Sequence, residues 1–382
     1  GSRSVNFYET IKIGAFLHPG RNVVGVLVHC PNTNTNLSYP VCGGALLAEI
    51  EGVTWTGDGT WKIRDACDEW LPLVGSNFVQ NVGFSEFRDF NREPEGWLEG
   101  IDTGGWLEPE ILGAANDAIP GKRVVSRPIP IQAISTFLPQ TIACVAETKS
   151  MAGLEHEKVD VLMSSEPHYP ANPKLESKLV NLTLADAEEV TIDPPGDGRG
   201  VTIMFGFGRE TVGFFEAEMR TAASGAIVDV AYDEEIYEGR MLNAYRIADR
   251  YILKKGANQI GTSLLERGFR FVEVSIRNFN TPIKIRTVRA IDRRYPVSRR
   301  ASFFCSDMAL NRVWDISVET LSVCTTDIFT DCPWRERAFW INDLIVENLT
   351  WLQAMGDSRL NAHALRLALS NLRKDGWMPA VS

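Results

Sequence analysis

The sequence predicts a multidomain β + α protein, with β-rich sandwich domains up to about residue 300 and helices after it. Short apolar runs broken by Gly and Pro fill the first part. Two-residue alternation marks the middle, and apolar steps of three and four take over after Ser306. Alternation puts every second side chain on one face of a strand, whereas steps of three and four build one stripe of a helix. At 382 residues and 44% hydrophobic composition, the chain can bury substantial cores, and its length fits two or three domains.

From Val5 to about Trp70, the runs Val23 to Val28, Ala45 to Ile50 and Trp61 to Ile63 alternate with Pro19-Gly20, Gly43-Gly44 and Gly57-Asp58-Gly59, the spacing of a first β-sandwich over 1–115. Phe87, Phe90, Trp97 and Trp106 read as aromatic packing at a sandwich edge rather than a sugar-facing loop. Pro128, Pro130 and Pro139 make 116–150 an extended connector. A second sandwich is expected over 151–300. There Val201, Ile203, Phe205 and Phe207 alternate along one strand, and Val272, Val274 and Ile276 along another.

Within that block, Gly206-Phe207-Gly208 lacks the third glycine and the following helix of a phosphate loop, so that motif is rejected. Asp233-Glu234-Glu235 beside Glu238-Gly239 reads as a solvated hairpin turn, a simpler account than a cation site. Beyond residue 300, Ser306 is the expected N-cap of a helix striped by Leu310, Val313, Trp314, Ser317 and Leu321. Ile341, Ile345, Leu349 and Leu352 stripe a second helix ending at Gly356. Leu360, Ala364, Leu367, Ala368 and Leu372 stripe a third ending by Gly376. Three helices leave stripes in need of partners, and Trp377-Met378-Pro379 reads as a link, so the helical domain is expected to continue beyond this chain.

Charge and motif content exclude several functions. A formal net charge of −10 argues against a nucleic-acid surface, which depends on clustered Lys and Arg, and neutral partners such as sugars fit better. The basic pairs Arg293-Arg294 and Arg299-Arg300 read as solvated strand-end charge. Seven cysteines without a CxxC pair indicate free thiols rather than a zinc ribbon, and a Cys30 to Cys42 bridge is the less favoured reading. His18, His29, His156, His168 and His363 form no HExxH spacing, so neither a metal nor a cofactor is expected. No GxSxG elbow is present. No apolar run approaches the roughly eighteen residues of a membrane span, and the N-terminus lacks a secretory pattern. The chain reads as soluble and has no membrane partner; its compartment is open.

Thr330 to Asp343 holds three carboxylates, two guanidinium groups and two indoles in fourteen residues, the equipment of a sugar pocket. Carboxylates accept hydrogen bonds from sugar hydroxyls, and indoles stack on the apolar face of a pyranose. Asp331 followed by Pro333 predicts a helix start with Asp331 as cap. Glu336, Trp340 and Asp343, spaced by four and three, would then share one helix face while Ile341, Ile345 and Leu349 occupy the core face. Taken singly, each has an ordinary structural role: Glu336 in a surface pair with Arg335 or Arg337, Trp340 in a core, Asp343 in solvent.

Asp-Cys-Pro-x-Arg-Glu-Arg followed by Trp and Asp resembles the signature of the family 78 α-L-rhamnosidases, inverting glycoside hydrolases with an (α/α)6 barrel preceded by β-sandwich domains. The segments 207–214, 231–235, 246–251 and 267–272 are similar to the sandwich before that barrel. Val5 to Thr10 and His18 to Val24 look like the middle of a sugar-binding-type jelly roll. The resemblance implies N-terminal β-sandwich (jelly-roll) domains followed by the start of an (α/α)6 barrel at 301–382, in a piece cut at both ends. It also implies that Glu336 is the general acid and that Asp331, Arg335, Trp340 and Asp343 bind the rhamnose ring. The catalytic base is implied to lie outside this chain, and Glu347 and Asp357 are candidates by chemistry alone. Phe339 and Asn342 depart from the pattern, because many members place glycine there. Two further readings remain open: a non-catalytic carbohydrate-binding protein, and an (α/α)6 glycosidase acting on another sugar.

Overall fold

The structure, a computed structural model, describes residues 5–29, 44–67, 69–70, 85–97, 99–100, 104–114, 123–150, 158–165, 169–170, 175, 179, 189–241, 247–261 and 264–380. In chain order its main strands are β1 Val5–Tyr8, β2 Phe87–Asp89, β3 Arg123–Ser126, β4 Ala133–Phe137, β5 Thr141–Thr148, β6 Val190–Ile192, β7 Gly200–Thr221, β8 Ile227–Asp233, β9 Ala248–Ile252, β10 Gly256–Ile260, β11 Arg267–Arg277 and β12 Ile283–Arg294. The helices α1 Met308–Val323, α2 Ile341–Met355 and α3 Ser358–Ser370 follow. Cys30, Cys42, His156 and His168 lie outside the described residues.

The long strand β7 organises the fold. Its first half, Val201 to Gly206, pairs antiparallel with β11 on one side and β5 on the other. Its second half, Gly213 to Thr221, pairs with β12, with β10 alongside its end. The switch falls at an irregularity in register between Gly206 and Thr211. A bulge of this kind bends a strand, and here it carries β7 from one partner set to the other, as at the corner of a sandwich. Hydrogen bonding runs in the order β2-β9-β8-β11-β7-β12-β4. Gly206 to Gly208 therefore sit in a strand at its bend.

The alternating residues are buried as expected. Val201, Ile203, Phe205 and Phe207 join Phe215, Val272, Val274, Ile276, Ile283 and Ile285 in one core. Phe207 packs edge-on against Phe269 and Phe215, with ring centroids 5.5 and 6.4 Å apart. Filling that space with aromatic rings buries a large apolar area per residue and fixes how the layers meet. Phe90 is also buried there and Trp97 stacks on Trp106 at 6.2 Å, so this aromatic segment serves packing.

Two expectations need correction here. The stretch 116–150 is not only a connector, because β4 and β5 within it pair with β12 and β7. Its prolines at 128, 130 and 139 flank these strands instead of interrupting them, as a residue without a backbone donor must. Nor are Arg293 and Arg294 solvated. Arg293 pairs with Glu266 at 3.0 Å, and Arg294 pairs with Asp292 at 2.8 Å and with Glu319 of α1 at 2.7 Å.

The helices pack on a second core containing Val318, Leu321, Phe329, Leu344, Trp351, Leu360, Ala364 and Leu367. Tyr295, just after β12, enters this core edge-on to Trp351 at 5.7 Å and so ties it to the sandwich. The cap of α1 is Asp307, not Ser306: its carboxylate accepts from the Ala309 and Leu310 amides, where an anion also meets the positive end of the helix dipole. Its expected stripe is partly wrong, since Leu310 and Val313 are exposed while Val318 and Leu321 are buried. On α2 the stripe Ile345, Leu349 and Leu352 is likewise exposed, and Leu344, Trp351, Ala354 and Met355 face the core. This helix carries apolar residues on two faces, and the spacing rule does not choose between them. The stripe of α3 is buried from Leu360 to Ala368, with Leu372 exposed.

Candidate functional site

Residues 331–340 are the largest departure from expectation, because they form a loop and α2 begins only at Ile341. Asp331 closes this loop instead of capping a helix. Its amide donates to the Ala338 carbonyl at 3.2 Å, and its Oδ1 accepts from the Ala338 amide at 2.9 Å. Arg337 has φ of 50°, a left-handed conformation that no right-handed helix can include. Trp340, the residue before α2, makes no side-chain cap.

The loop is anchored at two cores. Trp334 packs against the sandwich core and donates from its indole Nε1 to the Tyr232 carbonyl at 3.1 Å. Phe339 is buried among the helices. The departure from the usual glycine at Phe339 thus fills a core. Glu336 lies between the two anchors. Its Oε2 accepts from Trp340 Nε1 at 2.9 Å, and its Oε1 pairs with Arg335 Nη2 at 2.9 Å. Glu336 and Trp340 therefore meet without sharing a helix, and the charge-assisted bonds fix the carboxyl orientation.

Asp343 sits in the first turn of α2, half-buried. One turn further on, Glu347 is pushed up to about 8 by burial first, then by the charges of Asp343 and Asp331. Asp331 is raised as well, through burial and, more weakly, Glu336. Burial and like charge both disfavour the ionised form, so these acids form one electrostatic cluster. Asp357 lies elsewhere: it caps α3 at the Arg359 amide and pairs with the Arg359 guanidinium, whose hydrogen bond lowers its pKa.

The sandwich contributes carboxylates of its own. Ile236 and Tyr237 pair with Met241 and Arg240 across Glu238 and Gly239, both at positive φ, so the predicted hairpin is present. It is not solvated where it matters. Asp233 is fully buried, and Glu234 is raised by burial, then by Asp233 and Glu235, against the pull of Arg335. Glu210, at the bend of β7, is pushed up to about 9 by burial and by Glu234. Arg335 of the loop is thus among the charges that act on Glu234 of the sandwich. Sequence reasoning passed over Glu210 and dismissed Glu234, since a period-two pattern does not reveal a strand bend. Among the described residues, no group of three or more His, Cys, Asp or Glu side chains could hold a metal ion.

A β-sandwich is joined here to packed helices through a carboxylate-rich loop, and comparison with known families matches both parts. Residues 198–290 match the bacterial α-L-rhamnosidase concanavalin-like domain, and residues 298–382 match the bacterial α-L-rhamnosidase six-hairpin glycosidase domain. Both matched models are domains of bacterial α-L-rhamnosidases, in the order in which the sandwich and the helices follow one another here. Among solved structures it is similar to a family 78 rhamnosidase of Bacillus sp. GL1, with a TM-score of 0.63 and 19% identity over 74% of this chain and 48% of that one. It is also similar to an α-L-rhamnosidase from Dictyoglumus thermophilum, with a TM-score of 0.51 and 18% identity over 78% of this chain and 28% of that one. The chain thus spans about half or less of the length of these relatives. Among curated protein sequences nothing matches.

Proposed function

We propose that this chain carries the acid side of an inverting glycosidase that removes terminal α-L-rhamnose from glycosides or polysaccharides. Glu336 protonates the departing glycosidic oxygen, and Asp331, Arg335, Trp340 and Asp343 hold the sugar ring. A second carboxylate outside this chain activates water on the opposite face, at the separation of roughly 6.5 to 9.5 Å that inversion requires. Residues 301–382 are read as the first helices of the (α/α)6 barrel, behind a sandwich at 1–115 and a second at 151–300 that β4 and β5 extend.

The observation that carries this reading is the setting of Glu336, whose two oxygens are held by Trp340 Nε1 and Arg335 Nη2 at 2.9 Å each, beside the cluster of Asp331, Asp343 and Glu347. A general acid needs a fixed orientation toward the leaving oxygen. The test is turnover of an aryl α-L-rhamnoside by the full-length protein and its Glu336→Gln variant, with NMR of the first-formed sugar. The expected result is a loss of about 10²- to 10⁴-fold in kcat for the variant and an inverted anomer from the wild type. Near wild-type turnover by the variant refutes the assignment of the acid. Binding of rhamnose without turnover, or turnover of another glycoside only, favours a lectin-like role or a different sugar.

A further inference from the structure

The loop that carries Glu336 is held by the sandwich as well as by the helices that follow it. Trp334, two residues before Glu336, is bonded to the Tyr232 carbonyl at the end of β8. Arg337, the residue after it, donates through Nη2 to Glu266 Oε2 at 2.8 Å and through Nη1 to the Glu266 carbonyl. Between these points, Gly268 of β11 lets the loop backbone close in. A Cβ built there would lie 2.1 Å from the Pro333 carbonyl oxygen and 2.5 Å from Trp334 Cα, distances at which backbone must move.

Glu266 is itself prepared for this contact. Its other oxygen, Oε1, is paired with Arg293 Nη1 at 3.0 Å, so its rotamer is held from β12 as well as by Arg337. Arg293 in turn donates to Gln132 Oε1 at 2.5 Å, and its guanidinium lies 5.6 Å from the Phe214 ring. The unfavourable left-handed backbone of Arg337 persists because its guanidinium is gripped at two points on one residue.

We infer that Glu266 and Gly268 are positioning residues for Glu336, so that the sandwich is an integral part of the acid site and not a separate module. The inference rests on the proposed role of Glu336. Glu266 fixes the far side of the acid through Arg337, and Gly268 sets the depth of the near side through Pro333 and Trp334. Neither is among the residues proposed to hold the sugar, so both act on how Glu336 meets the leaving oxygen. A misplacement of about 1 Å at a reacting group costs roughly 10²-fold in rate.

Two measurements on the full-length protein test this. Backbone hydrogen exchange, read over 331–340 and over β7 and β8, is compared for wild type, Glu266→Ala, Glu266→Gln and Gly268→Ala, alongside kcat and KM on an aryl α-L-rhamnoside. Glu266→Ala is expected to speed exchange in 331–340 by about tenfold or more with the two strands unchanged. It is also expected to lower kcat by about 10²-fold with KM within about threefold. Glu266→Gln, which keeps an acceptor for Arg337, recovers most of both. Gly268→Ala gives the same loop-specific readout should Glu266→Ala loosen the sheet itself. Loop exchange at the wild-type level in both Glu266→Ala and Gly268→Ala overturns the inference, as does faster loop exchange with kcat intact. If the wild type turns over no rhamnoside, the functional reading fails, and the exchange comparison alone decides whether Glu266 and Gly268 hold the loop.

Discussion

At the scale of single residues, the hydrogen bond from Trp340 to Glu336 makes a prediction separable from sugar stacking. Trp340→Phe keeps an aromatic face but removes the Nε1 donor that holds Oε2 at 2.9 Å. A bond to a charged group contributes about 1.5 to 3 kcal/mol, so kcat on a rhamnoside is expected to fall by roughly ten- to a hundredfold with KM little changed. A pure KM effect would assign Trp340 to stacking alone. Glu347 gives a second prediction, from its proton. Its pKa is raised in the fold to about 8 from 4.5, so its favourable contribution to stability is complete below 4.5 and is lost as pH rises through about 8. Glu347→Gln stays neutral throughout. The variant is therefore expected to gain in melting temperature relative to wild type as pH rises from 5 to 9, and a difference independent of pH refutes the shift. The candidate residues Asp331, Arg335, Glu336, Trp340 and Asp343 could be picked out at this scale because they lie close together in sequence. Glu210, Glu234 and Glu266 could not, since their relevance depends on a strand bend and a docking contact between residues far apart in the chain.

At the scale of elements, local signals were read well where backbone chemistry decides and less well where packing does. Gly356 ends α2 at φ of 65°, with its amide bonded to the Leu352 carbonyl, the αL stop expected of a glycine there. Gly356→Ala forces an L-residue into that region and brings its Cβ to 3.2 Å from Arg300 Cδ. A loss of about 1 to 2 kcal/mol in chemical denaturation is expected, and an unchanged midpoint would show that the turn can relax. By contrast, the spacing of Glu336, Trp340 and Asp343 matches a helix period, yet 331–340 is a loop. Propensity and spacing describe what a segment tolerates. Here the Asp331 to Ala338 bonds, the grip of Glu266 on Arg337 and the packing of Trp334 against the sandwich core outweigh the few tenths of a kcal/mol per residue that favour helix. The same limit explains the stripe of α2: two apolar faces satisfy one periodicity, and only the neighbouring elements select Leu344 and Trp351 for burial.

At the scale of the whole molecule, the sandwich that anchors the loop depends on charges buried inside its own sheet. Asp229 on β8 is fully buried and accepts from Arg250 Nε at 2.6 Å and Nη2 at 2.9 Å on β9, and from Arg277 Nη1 at 2.6 Å on β11. One carboxylate thus joins three neighbouring strands. Burial raises the pKa of Asp229 and lowers that of Arg277 to about 9, so desolvation works against this group of charges even as its hydrogen bonds hold it. Such an arrangement adds little net stability over an apolar core, but losing one member leaves the others uncompensated, at about 3 to 5 kcal/mol. That is a large part of the 5 to 15 kcal/mol that holds a typical domain. Asp229→Ala is therefore expected to lower the melting temperature by on the order of 10 °C. Because Trp334 and Arg337 lean on Tyr232 and Glu266, the loop around Glu336 should lose its protection in the same transition as β8 and β11. Hydrogen exchange followed through the melt would detect this: coincident loss in 331–340 and in the two strands is the expected result. A loop that stays protected after the strands have opened would mean that the helices alone hold the acid in place.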